Sequence, residues 1–321
     1  MTARSGSDGH PVNDMSRPDR LIRGVHHVVM SAQDPNGLMR FLEDAADFRP
    51  VTSAWVEQVG SPVLAAPNLY LVVRSSTQAP VHRPVSESGL AHLCLQTPDI
   101  HRIVDGFGRA GATFHCPPID LGTGFLYCYA RDIECNVMEI ECVPPVWPEA
   151  KPWVAHVNVI THDLRRLSDF YSRLLETEAI RSPRLRDDKR LDQIAALDAV
   201  ELRAAWLDAG NVQIELMQYH RPASTEQTGR RDPDGCGYRA LAFEVRDLGA
   251  AAAHLLACGG TWCPEGPAAP DVLDGLDPDG NPLRLIQTEE SGTGWASVGA
   301  LSDPHVVQRF TRAREALSSA A

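Results

Sequence analysis

Three histidines recur at one place in a repeated pattern. His27, His92 and His156 each stand seven residues before an aspartate that closes an apolar-rich segment: VHHVVMSAQD at 25–34, LAHLCLQTPD at 90–99 and VAHVNVITHD at 154–163. A fourth segment, YRALAFEVRD at 238–247, keeps the aspartate as Asp247 but has Ala240 in the histidine's place. Two glutamates share a second setting, Glu139 in NVMEIE and Glu215 in NVQIELM. Imidazole and carboxylate are side chains that bind first-row divalent ions and move protons near neutral pH.

The elements that carry these residues repeat as well. Each apolar segment reads as a strand and runs into a stretch with apolar residues at three- and four-residue spacing: PNGLMRFLEDAADF, IHRIVDGFGRAG, LRRLSDFYSRLL and LGAAAAHLLACGG. The spacing predicts four helices, each with the closing aspartate as N-cap. Gly111 and Gly259 follow two of them as C-terminal glycines. AGATFHCPP at 110–118 matches CGGTWCPEGP at 258–267, and RDIECNVMEIE at 131–141 matches LDPDGNPLRLI at 276–286. The offset is 148 residues from His92 to Ala240 and from Gly111 to Gly259, and 145 from Asn136 to Asn281. The chain therefore reads as a duplicated two-module unit. GFLYCYARD, ELRAAWLDAG and NVQIELMQY read as further strands. DPDGN is a turn with glycine where φ is positive, and DIECN departs from it. Four prolines in CVPPVWPEAKPW (142–153) mark a linker, and PHVVQRFTRAREALSS is a helix candidate in the tail.

Composition narrows the function classes. Of 321 residues, 43% are hydrophobic and 22% charged, ordinary for a globular protein long enough for two domains. A net charge of −12 without a dense Lys/Arg run argues against nucleic acid as partner. No run of about eighteen apolar residues is present, so no membrane-spanning helix is expected. The first twenty residues are polar and lack the apolar stretch of a signal peptide, which implies a disordered leader and a cytoplasmic protein. The eight cysteines form no CxxC pair and read as reduced thiols.

A strand with His, a helix, three more strands, an N-x-x-E ending and a fourfold copy together resemble the vicinal oxygen chelate superfamily. That group includes glyoxalase I, methylmalonyl-CoA epimerases, fosfomycin and bleomycin resistance proteins, and extradiol dioxygenases. The resemblance covers roughly residues 22–288 and implies an α+β fold of four βαβββ modules. The modules would form two tandem domains whose mixed sheets curve into cups. The expected division is a leader (1–20), an N-terminal domain (21–142), a Pro-rich linker (143–152), a C-terminal domain (153–289) and a tail with a helix (290–321). The resemblance also implies metal ligands from the first and last strand of each module. The first-strand positions are His27, His92, His156 and Ala240. The last-strand positions are Glu139, Glu215 and Arg284, with Leu71 or a neighbour in the first module.

Side-chain alternation supports this mapping. In NVQIELM, Gln213, Glu215 and Met217 share one face and Val212, Ile214 and Leu216 the other. Glu139 and Glu141 share a face in NVMEIE, and His156 lies with Asn158. Two module pairings then separate two chemistries. If modules two and three share a cup, His92, Glu139, His156 and Glu215 meet around one divalent ion, Zn, Ni, Co, Mn or Fe(II). Glu215 or Glu139 would act as general base in an isomerase, epimerase or lyase. If modules one and two pair, His27, His92 and Glu139 form a two-His, one-carboxylate set suited to Fe(II) and a ring-cleaving dioxygenase. A third reading is a metal-free binding or resistance protein. The cross-half pairing is favoured because it gathers four ligand-type residues and leaves one stray.

Other residues receive plainer assignments. Asn158, Gln213, Tyr127 and Trp206 are candidates for a substrate pocket. His26 is expected on the face opposite His27, and Glu244 and Arg284 are expected to pair. His82, His101, His115, His162, His220 and His254 read as solvated. Partners are limited to a small-molecule substrate, for a monomer or homodimer.

Overall fold

The computed structural model describes residues 20–122, 124–142, 151–225, 234–263, 270–288 and 294–320. The expected leader, apart from Arg20, and the linker, apart from 151–152, lie outside the described residues.

Four modules follow one another. The first holds β1 (Ile22–Ala32), α1 (Pro35–Ala46), β2 (Arg49–Pro50), α2 (Ala54–Val59), β3 (Val63–Ala65) and β4 (Tyr70–Ser75). The second holds β5 (Gly89–Thr97), α3 (Ile100–Arg109), β6 (Thr113–Phe114), β7 (Ile119–Asp120), β8 (Leu126–Arg131) and β9 (Val137–Cys142). The third holds β10 (Trp153–Ile160), α4 (Leu164–Leu174), β11 (Ile180–Arg181), β12 (Leu185–Arg186), α5 (Lys189–Ala195), β13 (Glu201–Asp208) and β14 (Gln213–Arg221). The fourth holds β15 (Gly237–Val245), α6 (Leu248–Cys258), β16 (Thr261–Trp262), β17 (Val272–Leu276) and β18 (Pro282–Gln287). A 3-10 turn at Val298–Ala300 and α7 (Val306–Ala320) make up the tail, the helix where the pattern predicts one.

The repeated aspartates cap the helices. Asp34, Asp99, Asp163 and Asp247 accept from the backbone N–H of Gly37, Arg102, Arg166 and Ala250 at 2.9, 3.0, 3.0 and 2.8 Å. Each such cap stabilises its helix by about 1 kcal/mol.

The strands form two mixed sheets, and each takes one module from each half. The order β16-β17-β18-β15-β1-β4-β3-β2 joins modules four and one, and β11-β13-β14-β10-β5-β9-β8-β6 joins modules three and two. The first strands lie side by side and antiparallel, β1 with β15 and β10 with β5. One core serves both sheets. Val28, Leu71 and Leu241 from one sheet and Leu93, Ile140 and Val157 from the other belong to a single apolar cluster with the helices, where Phe41 and Phe107 meet at 5.0 Å. The opposite face of each sheet has its own cluster, and these two faces are the cups.

Asparagines from the repeated N-x-x-x strand starts join the two halves. Asn68 donates to Val154 O and accepts from Val154 N, at 2.7 and 3.1 Å, and Asn211 does the same for Val25, at 2.8 and 2.9 Å. Gly24 permits this approach, because a Cβ there would lie 2.6 Å from Asn211 Oδ1. The other two asparagines close turns. Asp277 Oδ1 accepts from Asn281 N at 2.9 Å, and Asp132 Oδ1 accepts from Asn136 N at 2.9 Å. The DIECN turn thus keeps the DPDGN geometry, contrary to the departure its residues suggest. Cys135, at φ +63°, takes the left-handed place that Gly280 fills at +84°.

Candidate metal centre

Four neighbouring strands, β14, β10, β5 and β9, each contribute one residue: Glu215, His156, His92 and Glu139. The register pairs Asn158 with both His92 and Glu215, and Cys94 with both His156 and Glu139. The ligands therefore sit on diagonals about a local twofold axis between β5 and β10. All four are buried, and one ligand atom from each lies within 4.8 Å of the others. Glu139 Oε2 is 3.1 Å from His92 Nε2 and 3.0 Å from His156 Nε2. Glu215 Oε2 is 3.1 Å from His156 Nε2 and 3.7 Å from His92 Nε2.

The electrostatics follow from this convergence. Burial pushes the Glu139 carboxyl up, but hydrogen bonds from His156 and His92 overcome it and hold the group down at about 2. Burial also pushes the His156 imidazole down, and Cys94, Glu215 and Glu139 around it hold it well above its ordinary value instead. Two carboxylates and two imidazoles at this spacing fit a divalent ion, which would take one lone pair from each.

The surrounding side chains divide among the pocket candidates. Asn158 Nδ2 donates to Glu215 Oε2 at 2.7 Å. Trp206 lies opposite Glu215, and Gln213 opposite His156, both half-buried. Tyr127 lies farther out, opposite Glu141, where it also packs against the α7 cluster of Val306, Val307 and Phe310. Glu141 is buried, accepting from Gln96, which in turn accepts from Trp153. Tyr129 is closer to the centre than Tyr127. It sits opposite Glu139 with its ring 5.1 Å from His92, and burial beside Glu139 raises its hydroxyl pKa well above the usual value. The hairpin register carried the signal, since residues three before Asp132 and three after Asn136 must pair. His115 is not solvated: Nδ1 meets Ile194 O at 3.0 Å and Nε2 accepts from Arg131, so it ties α5 to β8.

His27 lies in the other sheet, so the set His27, His92 and Glu139 does not assemble. Its own cup is filled. Trp295 stacks on His27 at 5.8 Å, and Trp55, Tyr70 and Trp295 surround His26. His26 shares this face, contrary to expectation, because the register shifts between Val25 and His27. Its Nε2 lies 2.8 Å from Ala296 O and its Nδ1 2.9 Å from His27 Nδ1. Burial holds His26 down at about 4, so it is neutral and donates through Nε2. His27 must then donate through Nδ1, which leaves its buried Nε2 as an unpartnered lone pair. Val72, not Leu71, occupies the module-one place of Glu139, and Leu71 faces the core. Arg284 pairs with Asp274 at 2.6 and 2.8 Å, and Glu244 accepts instead from Thr288, Ser297 and the Val298 N–H.

A sequence profile described as the Glyoxalase/Bleomycin resistance protein/Dioxygenase superfamily matches residues 155–274. Among solved structures, glyoxalase I from Zea mays is similar at 15% identity over 82% of this chain and 92% of that chain, with a TM-score of 0.61. A point mutant of the same maize enzyme gives 16% identity over the same shares and a TM-score of 0.62. A Bacillus subtilis protein provisionally described as a dioxygenase gives 9% identity over 94% and 97%, with a TM-score of 0.57. No curated protein matches the chain by sequence. At these identities the structural likenesses show the fold alone. Residues 155–274 thus match that superfamily's profile, and the chain as a whole shares its fold with maize glyoxalase I.

Among the described residues, no helix is long and apolar enough to cross a membrane.

Proposed function

We propose that the chain is a metal-dependent enzyme that moves a proton next to an oxygen-bearing carbon of a small substrate, as an isomerase, epimerase or lyase. The observation that carries this reading is the convergence of His92, Glu139, His156 and Glu215 within 4.8 Å. A divalent ion held there supplies Lewis acidity toward a substrate oxygen. The protein's own groups do the rest. Both glutamates are placed to accept and return a proton. Tyr129, Trp206 and the apolar wall around them exclude water from the ligands. The reading brings with it a small-molecule partner and a cytoplasmic setting.

Metal analysis of the purified protein tests it. The expected result is one divalent ion per chain, lost in His156→Ala and kept in His27→Ala. Retention of the ion in His156→Ala would overturn the four-residue centre. Protein that binds no ion after reconstitution would leave a metal-free binding role.

A further inference from the structure

The two carboxylates of the centre are held differently. Asn158 is fully buried and donates Nδ2 to Glu215 Oε2 at 2.7 Å. The twofold-related position beside Glu139 is Cys94, whose thiol reaches toward Glu141 at 3.9 Å. Glu139 has its hydrogen bonds from His92 and His156, through the Nε2 atoms that a metal ion would take. Once those lone pairs are on an ion, Glu139 loses both partners while Glu215 keeps its amide. Asn158 Oδ1 has no partner, so the bond to Glu215 alone sets the orientation of the amide, and a flip would place oxygen against carboxylate.

We propose that Asn158 is a positioning residue that anchors Glu215 as the more tightly held of the two carboxylate ligands, with no such anchor beside Glu139. This rests on the metal-centre reading above.

Affinity for Ni(II), measured against a chromophoric chelator, tests the asymmetry without any substrate. Asn158→Ala should weaken binding by about 10- to 100-fold, as loss of a hydrogen bond to a ligand does. Glu215→Ala should weaken it at least about tenfold more than Glu139→Ala. The double-mutant cycle separates positioning from general damage to the fold. The Asn158→Ala effect should vanish in the Glu215→Ala background and persist in the Glu139→Ala background. Equal losses for the two glutamates, or an Asn158→Ala effect that persists in the Glu215→Ala background, would overturn the assignment. Wild-type protein that binds no Ni(II) would instead defeat the metal-centre reading itself.

Discussion

Two cups built from the same repeated parts share one core, and they have opposite contents. The cup of modules two and three sets His92, Glu139, His156 and Glu215 at the four ligand places. The cup of modules one and four has His27, Val72, Ala240 and Arg284 there, and fills its interior with Trp55, Tyr70 and Trp295. Converging buried ligands cost stability when nothing bridges them, whereas aromatic packing adds to it. One sheet of this fold can therefore hold a reactive centre while the other serves as ballast. The tail enforces the division, because Trp295 and Ala296 enter the second cup from outside the repeat.

The largest test of this contrast is Trp295→Ala. Removing a side chain only 5% exposed should cost about 3–5 kcal/mol in chemical denaturation while leaving metal affinity unchanged. A fall in metal affinity as large as that in a ligand mutant would break the separation of the cups. Next comes His156→Ala, which should weaken metal binding by more than about 100-fold yet leave the metal-free fold intact by circular dichroism. Metal at about a hundredfold excess over its Kd should stabilise the wild type by about 2.7 kcal/mol, and His156→Ala by no more than about 0.4 kcal/mol.

The matched turns give a pH prediction for both sheets. Burial pushes Asp132 and Asp277 up to about 6, against their hydrogen bonds from Asn136 and Asn281. Unfolded chain gives up these protons first, near the ordinary value of 3.8. Their contribution therefore favours folding below that pH and is lost as pH rises through about 6. Carbon-detected NMR titration should find both carboxyls titrating near 6, and titration at the ordinary value of 3.8 would refute the buried-turn picture. The smallest effect belongs to Cys135→Gly, which relieves a left-handed non-glycine residue and should stabilise by about 0.5–1 kcal/mol.

Much of this is legible in the residues. The four caps, the module repeat and the placing of Glu139 and Glu215 on cup faces follow from the periods of helix and strand. The pairing of modules is legible only through the ligand count that favours modules two and three, because each first strand offers the same free edge to either neighbour. Asn136 and Asn281 follow an aspartate four residues earlier that accepts from them, and Asn68 and Asn211 have Leu64 and Leu207 there, but that difference does not name a partner in the other half. Strict alternation misplaces His26 because a bulge interrupts it, and bulges leave no mark in a strand of continuous apolar residues. Nothing singles out Trp295 either, since it stands in a stretch without periodicity.

The exchange of modules between halves also has a consequence at the ribosome. β1 waits for β15, and β5 waits for β10, so Ile22 finds its partner Val245 only after more than two-thirds of the chain has been made. Until β10 is made the nascent N-terminal half carries the free edges of two first strands, both largely apolar, and that of β1 stays without its mate until β15 follows. Synthesis of this protein should depend on chaperones that shield such edges, and translation that stalls between residues 142 and 153 should yield aggregate rather than a soluble half.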